Sequence, residues 1–414
     1  MKFNTIIIGG GLAGMTSAIR LAESGEKVAV VSAGRSALLF NTGSFGLMGF
    51  DADHRPTADW SQALSSLPAA HPYSKIGSDK ISALAQDALS LLKRSGLNFY
   101  CSEAQNNHGR ISPLGIFRPA WLSLEGLLTE NSLADLRQRR VALIGLAGFL
   151  DFYPRFIAAS LRKASCETDI FTVDTPDLRT LRSSETEMRA ANIARILHGY
   201  PLKRFAEEIK KLDIPSESII VLPAVIDPSE LEVFRSLVRR QVLFAPTLGV
   251  SLPGVYIHDA LIRRFKSLGG RILNGHRVNG AQFGDNRLIG VTTDKLDDDC
   301  LYADSFVFAG GSFFSHGLLA HPDAIVEPVL GLDTDAPQDR NGWFEADLFG
   351  AQPVMKSGVA TNESFNAKRN GSVIKNLYVV GSALSGADSV REESGAGVAM
   401  ISAIAVADTI IKNK

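Results

Sequence analysis

The sequence predicts an α/β protein in which a Rossmann-like module is interrupted by a second, inserted α/β domain. Two observations predict it. Three apolar runs far apart in the chain, "IIIGGGLAG", "SFVFAGG" and "LYVVGSALSGAD", each end in glycine, the punctuation of parallel strands whose carboxyl ends carry ligand loops. Residues 138–246 alternate four other apolar runs with helix-like stretches, the rhythm of a separate, mostly parallel sheet. The expected division is residues 1–60 plus 250–414 for the first module and 61–249 for the insert.

Residues 3–8 are a short apolar run suited to a buried strand. Leu12, Met15, Ile19 and Ala22 then recur at helical spacing, and Gly25 marks the helix end. Residues 28–31 complete one βαβ unit. Residues 32–60 lose all periodicity and are rich in Gly, Ser, Asn and Thr. Loops of that length are commonly functional. Residues 78–95 read as an amphipathic helix with Ser78 as its N-cap.

In the insert, "RVALIGLAGFLDF" reads as a strand and a tight turn. "DIFTVDTP", "SIIVLPAVI" and "QVLFAPTL" are the other strands, with helices between them. Residues 255–310 give a helix, a hairpin-like pair and a strand ending at Gly310. "ESGAGVAM" opens a terminal helix.

Hydrophobic residues make up 45% and charged residues 21% of the chain, the balance of a folded protein. The net charge of −1 lacks the basic excess of a nucleic-acid surface, so no nucleic-acid partner is expected. Cys101, Cys166 and Cys300 are scattered, which suits neither a disulfide framework nor an iron–sulfur cluster. The first apolar run is too short for a signal peptide. A cytoplasmic location is the expectation.

Gly9, Gly11 and Gly14 form GxGxxG between a strand and a helix. In that context the glycines permit a tight turn, close approach of a phosphate, and close helix–strand packing. Leu12 and Ala13 open the helix, whose free N–H groups attract an anion. The other candidates for cofactor contact are Ser32, Arg35, Ser36 and Ser44 in and before the long loop, Gly310, the pair Gly381 and Ser382, and Gly395 and Gly397 of the terminal helix. Asn41 and Thr42 accompany them in the loop.

Together these segments resemble the flavoproteins with two dinucleotide-binding domains. There the last glycine helix faces the flavin ring with its positive end. The departures matter. The acid expected for an adenosine ribose is Ser32 here, the acid expected after Gly381 is Ser382, and Ala309-Gly310 stands where Ala-Thr is usual. The missing ribose acid favours FMN, with FAD as the alternative. NAD alone would leave the C-terminal segment unexplained.

The tracts "GRSALLFNTGS", "AHPYSKIG", "ISPLGIFRPAWLS", "GGSFFSHGLLA", "EPVLGLD" and "GVATNESF" follow in order along the chain. With GGGLAG they resemble the B-subunit family of anaerobic glycerol-3-phosphate dehydrogenase. The resemblance implies oxidation of sn-glycerol 3-phosphate to dihydroxyacetone phosphate. Electrons would pass to menaquinone and then to fumarate or nitrate. It also implies three kinds of chain: an FAD-containing A-type partner, this chain with FMN, and an iron–sulfur C-type partner that anchors the complex at the inner face of the cytoplasmic membrane. A stand-alone FAD or NAD oxidoreductase remains an alternative, as does a non-catalytic scaffold or electron relay.

Oxidising a secondary alcohol that bears a phosphate calls for a base and for cations. His71, Arg118 and Arg391 are the catalytic candidates, with Arg35, Arg110 and His316 beside them. No metal ligand set is evident.

Overall fold

The computed structural model describes residues 2–102, 106–131, 135–183, 187–296 and 299–414. The chain forms two compact units. One comprises residues 1–37, 45–98 and 258–414, and the other residues 38–44 and 99–257.

The first unit is built on an eight-stranded sheet. Strands Arg271–Asn274, Val28–Ser32, Lys2–Ile8, Leu301–Phe308 and Ser372–Val379 lie side by side and parallel. Antiparallel strands Arg287–Thr293, Val278–Gly284 and Asn366–Arg369 extend it. Ile6, Ile7, Val30, Phe306, Val307, Phe308 and Val379 are fully shielded, as expected of parallel strands covered on both faces.

Helix Leu12–Glu23 returns over the sheet and packs on the terminal helix Gly395–Lys412. Arg20 Nε seals that contact 2.8 Å from Asp408. Helix Ser78–Arg94 packs on the same terminal helix, so residues 61–98 belong to this unit and not to the insert. Its N-cap is Gly77 (φ +99°) and Ser78 is already helical. The terminal helix is long and apolar enough to span a membrane, but 61% of it is buried inside the protein. It is a core helix.

The second unit holds a four-stranded parallel sheet, in the order Glu167–Val173, Arg140–Leu146, Ile219–Pro223, Val242–Ala245. These are the four strands read from the sequence. The "GLAGFLD" segment is a turn, with Gly148 at φ +83° and Asp151 held by Arg189. Short antiparallel ribbons, among them His108–Ile111 with Phe117–Ala120 and Thr129–Glu130, fill residues 99–130.

Candidate functional site

Three neighbouring strands of the first unit end level with one another. Ile8 lies opposite Phe308, and Phe308 opposite Val379. Gly9, Ala309-Gly310 and Gly381 therefore leave the sheet side by side, as the three glycine-ended runs suggest.

The glycines there do different work. A Cβ on Gly9 (φ +117°) would lie 2.1 Å from the Ala309 carbonyl oxygen, and one on Gly14 would lie 1.9 Å from that of Gly9. Both positions let backbone meet backbone. A Cβ on Gly11 would meet only Ser36 Oγ, at 3.6 Å. The space before the helix is thus kept open. Gly11 is the N-cap of helix Leu12–Glu23, no side chain caps it, and no acid lies in the first turn. Its leading N–H groups, with Leu12 and Ala13 at the helix start, leave an uncapped positive end.

Gly381 (φ +70°) packs close to Ala13, since a Cβ on it would be 2.6 Å from the Ala13 methyl. Its N–H donates to buried Ser402 Oγ at 2.9 Å, and that hydroxyl donates to Val398 O at 2.6 Å. Sequence reasoning missed Ser402, a serine inside an apolar helix that ties the strand end to its partner. Ser382 is exposed next to Gly311. Gly310 leaves room for the Phe308 ring.

The terminal helix also starts without a side-chain cap or an acid in its first turn. Gly395 sits beside Ser389. Gly397, expected to face a cofactor, is committed to packing instead. Its N–H donates to Gly46 O at 2.8 Å, and a Cβ there would come within 2.3 Å of Tyr73 Oη.

Ser32 closes the second strand, and its hydroxyl donates to Gly34 O at 3.0 Å. Neither nearby acid stands in for the missing ribose ligand. Glu23 is held by Arg94 and Arg264, each at 2.8 Å, and Glu26 by Lys414. Arg35 is exposed and Ser36 half-buried beside Gly11. Ser44 does not join this group. It lies in the second unit, where its hydroxyl is 2.8 Å from that of Ser123. Ser123 is in turn 2.7 Å from His108 Nε2.

The catalytic candidates separate as well. His71 is fully buried, and both ring nitrogens are engaged. Nδ1 accepts from the Tyr73 N–H at 3.1 Å, which leaves the proton on Nε2, 3.2 Å from Glu392 Oε2. The ring caps a helix and anchors a carboxylate, and it has no nitrogen left for a substrate proton. Glu392, which gave no signal in the sequence, also accepts from Ser394 Oγ at 2.8 Å and the Asp388 N–H at 3.0 Å. Burial pushes its carboxyl up, but these hydrogen bonds and His71 outweigh it and hold the acid below its ordinary range.

Arg391 adjoins Glu392, and its guanidinium donates to Phe349 O at 3.1 Å. His316 is exposed in a left-handed turn. Arg118 and Arg110 lie opposite each other on the ribbon of the second unit. Among the described residues no cluster of His, Cys, Asp or Glu could hold a metal.

The open cradle at Gly11, the uncapped helix and the level strand ends fit a flavin phosphate. Fold and site define an α/β flavoprotein of the FAD-binding type, and a family model described as FAD binding domain matches residues 4–398. More narrowly, the chain belongs to the B-subunit family of anaerobic glycerol-3-phosphate dehydrogenase. It is 40% identical over 420 residues to the B subunit of Yersinia pseudotuberculosis serotype I, covering 99% of this chain and 98% of the relative. It is 38% identical to that of Pectobacterium atrosepticum, covering 100% and 99%. For Actinobacillus pleuropneumoniae serotype 5b the identity is 35%, covering 99% of both chains.

Among solved structures, E. coli quinol fumarate reductase FrdA aligns at 9% identity and TM-score 0.46, covering 100% of this chain and 70% of that one. The 3-ketosteroid delta1-dehydrogenase of Sterolibacterium denitrificans aligns at 10% and 0.44, covering 100% of both. The family model names FAD and lends no support to the FMN expected from Ser32.

Proposed function

We propose that this chain holds FAD and serves as a flavin subunit of a quinone-linked complex that oxidises sn-glycerol 3-phosphate to dihydroxyacetone phosphate. The open glycine cradle at Gly11, inside a fold matched by the FAD-binding family, is the observation that carries the reading. The names of its relatives supply the substrate and the subunit role. An FAD-containing A-type chain and an iron–sulfur C-type chain are the proposed partners. Through them the chain sits peripherally on the inner face of the cytoplasmic membrane, with fumarate or nitrate as the terminal acceptor.

A flavin bound here supplies two-electron acceptance from a secondary alcohol. Gly11 keeps open the space where its phosphate would lie, Gly9 and Gly14 let the turn and helix pack beneath it, and the N–H groups of Leu12 and Ala13 would offset its charge. Gly381 packs on Ala13, and exposed Ser382 beside Gly311 is the polar group of this segment that a bound flavin would meet. The start of the terminal helix, with no side-chain cap and no acid in its first turn, would set positive potential towards a flavin bound before it. Glu392, pinned by His71 and Ser394, fixes the segment leading into that helix.

Heat release of the chromophore from the purified full chain, followed by chromatography, tests the reading. FAD is the expected product. FMN in its place, or absence of flavin, would overturn the proposal.

A further inference from the structure

The second unit leaves an apolar face exposed. Residues 112–116 form the tip of the hairpin between strands His108–Ile111 and Phe117–Ala120, where the Gly115 N–H donates to Ser112 O at 2.9 Å and the Ser112 N–H to Ile116 O at 2.8 Å. Gly115 (φ +83°) sets that tip against the start of helix Pro154–Lys163, since a Cβ on it would lie 2.6 Å from Phe156 O and 3.0 Å from Ile157 Cα. The contact is made backbone to backbone. The side chains next to it, Leu114 and Ile116, stay exposed, and so do Tyr153 and Phe156 at the helix start. Ile116 is 55% and Phe156 54% exposed. The Tyr153 and Phe156 rings lie 5.7 Å apart, centre to centre.

The charges around this face are of one sign. Arg155, Phe156, Ala159, Arg162 and Lys163 recur at helical spacing and form the exposed side of the helix, while Ile157, Ala158 and Leu161 are buried beneath it. The helix carries no acid, and the hairpin tip carries no charge at all. Asp151, in the turn before the helix, is buried and held by Arg189 at 2.7 Å. Glu167, the next acid along the chain, pairs with Arg140 at 3.5 Å. The Arg162 guanidinium donates to a carbonyl, Thr168 O, which leaves its charge in place. Among the described residues no ion pair neutralises Arg155, Arg162 or Lys163.

Aromatic and branched apolar side chains beside arginines, with acids absent, are the composition of the centre of a protein–protein interface. We propose that Leu114, Ile116, Tyr153 and Phe156 are the anchors by which this chain docks a partner protein of its complex, and that the partner offers an apolar pocket bordered by carboxylates. The anchors suit that task because the hairpin tip is fixed by backbone contact and the helix by its buried side, so little freedom is lost on docking. Arg155 and Lys163 would steer an acidic border towards the face and reject a basic one. This deepens the proposed function, on whose subunit role it rests, by naming the surface and the chemistry of what covers it.

The test is co-expression of the full chain with the A-type and C-type chains, purification through a tag on this chain, and measurement of the ratio of partner to this chain in the eluate. Wild type is compared with Leu114→Ser, Phe156→Ser and the double replacement Arg155→Gln with Lys163→Gln, with flavin content and melting temperature recorded for each. All four side chains are exposed, so the melting temperature should barely move. Wild type should bring down a partner chain in fixed ratio. Leu114→Ser and Phe156→Ser should each cut that recovery by roughly 10-fold or more, as loss of a central apolar anchor implies. The double Gln variant should weaken the complex and remove most of its salt dependence.

Wild-type recovery of partner by both apolar variants would overturn the docking surface while leaving the subunit role intact. Recovery indifferent to salt and to the two Gln replacements would overturn the carboxylate-bordered pocket. Failure of the wild type to bring down either chain overturns the subunit role and the surface with it. Two other occupants are read from this chain purified alone. Sedimentation as a dimer that Phe156→Ser dissociates would assign the face to a second copy. Flotation with phosphatidylglycerol vesicles that Phe156→Ser abolishes would assign it to a lipid surface. Either result would overturn the proposal.

Discussion

Replacing Gly11 by alanine separates ligand binding from folding. The added methyl meets only Ser36 Oγ, at ordinary contact distance. Gly11 has φ −79°, which alanine adopts without strain. Alanine is a poorer N-cap than glycine by roughly 0.5–1 kcal/mol, but it restricts the unfolded chain and so returns about 0.4–1 kcal/mol. The net effect on the cofactor-free protein is below about 1 kcal/mol, or a shift of only about 1–2 °C in melting temperature for a chain this long. The methyl nonetheless occupies the space before the helix N-terminus. A phosphate pushed back from it loses about two charge-assisted N–H bonds, each worth about 1.5–3 kcal/mol. At about 1.4 kcal/mol per decade, flavin affinity falls by roughly two to four powers of ten. The assay is flavin titration by fluorescence quenching, with melting of the stripped protein as the stability control. Gly14→Ala is the contrast, because its methyl would strike the Gly9 carbonyl and the stripped protein itself should melt lower. Retention of flavin by Gly11→Ala, within threefold of wild-type affinity, would refute the placement of the phosphate at this helix.

Three further outcomes follow from the same geometry. Ser402→Ala strands the buried Gly381 N–H and should cost about 1–3 kcal/mol, read by urea unfolding. An unchanged midpoint would mean that the hydrogen bond is dispensable. Burial and Arg110 depress the folded pKa of His108 to about 4, below an unfolded value near 6.5. The unfolded chain therefore binds the extra proton first, and stability falls as pH drops from about 6.5 towards 4, by up to about 3 kcal/mol. His108→Gln should flatten that slope in unfolding curves taken across the window, and an identical slope would exclude the assignment. Ser32→Asp restores a ribose acceptor and should tighten FAD by roughly tenfold while leaving FMN unchanged, measured by competitive titration.

The parallel strands and the terminal helix were legible because each strand runs into glycine and each helix keeps its period. The partners of an amphipathic helix were not. The apolar face of Ser78–Arg94 is plain in the sequence, but a face does not name what covers it, and it packs in the first unit. The ribbons of residues 99–130 are two to four residues long, too short for a periodic signal. Within the site, the glycine positions were readable but their duties were not. Gly9, Gly14, Gly381 and Gly397 admit close packing, whereas Gly11 keeps a space open. His71 looked like a base because histidines often are. Its role is set by the Tyr73 N–H and by Glu392, which lies 321 residues away and is invisible from the local sequence. His108 gave no signal at all, since its partner Ser123 lies 15 residues further along the chain.

Ser32 shows how much weight one missing ligand can bear. An acid at the end of the second strand contributes one charge-assisted hydrogen-bond pair to an adenosine ribose, about 1.5–3 kcal/mol. A cofactor held at micromolar to nanomolar affinity has about 8–12 kcal/mol of binding free energy. Losing that contact weakens FAD by one to two decades at most and leaves the phosphate cradle, which is present here, to carry the rest. Nor has the site replaced the acid, for Glu23 and Glu26 are committed to arginines and lysine. On these magnitudes the serine would tune affinity and would not by itself select between one phosphate and two. The choice between FMN and FAD depends on whether the surface beyond the first phosphate accepts an adenosine, which a single position in the sequence cannot encode.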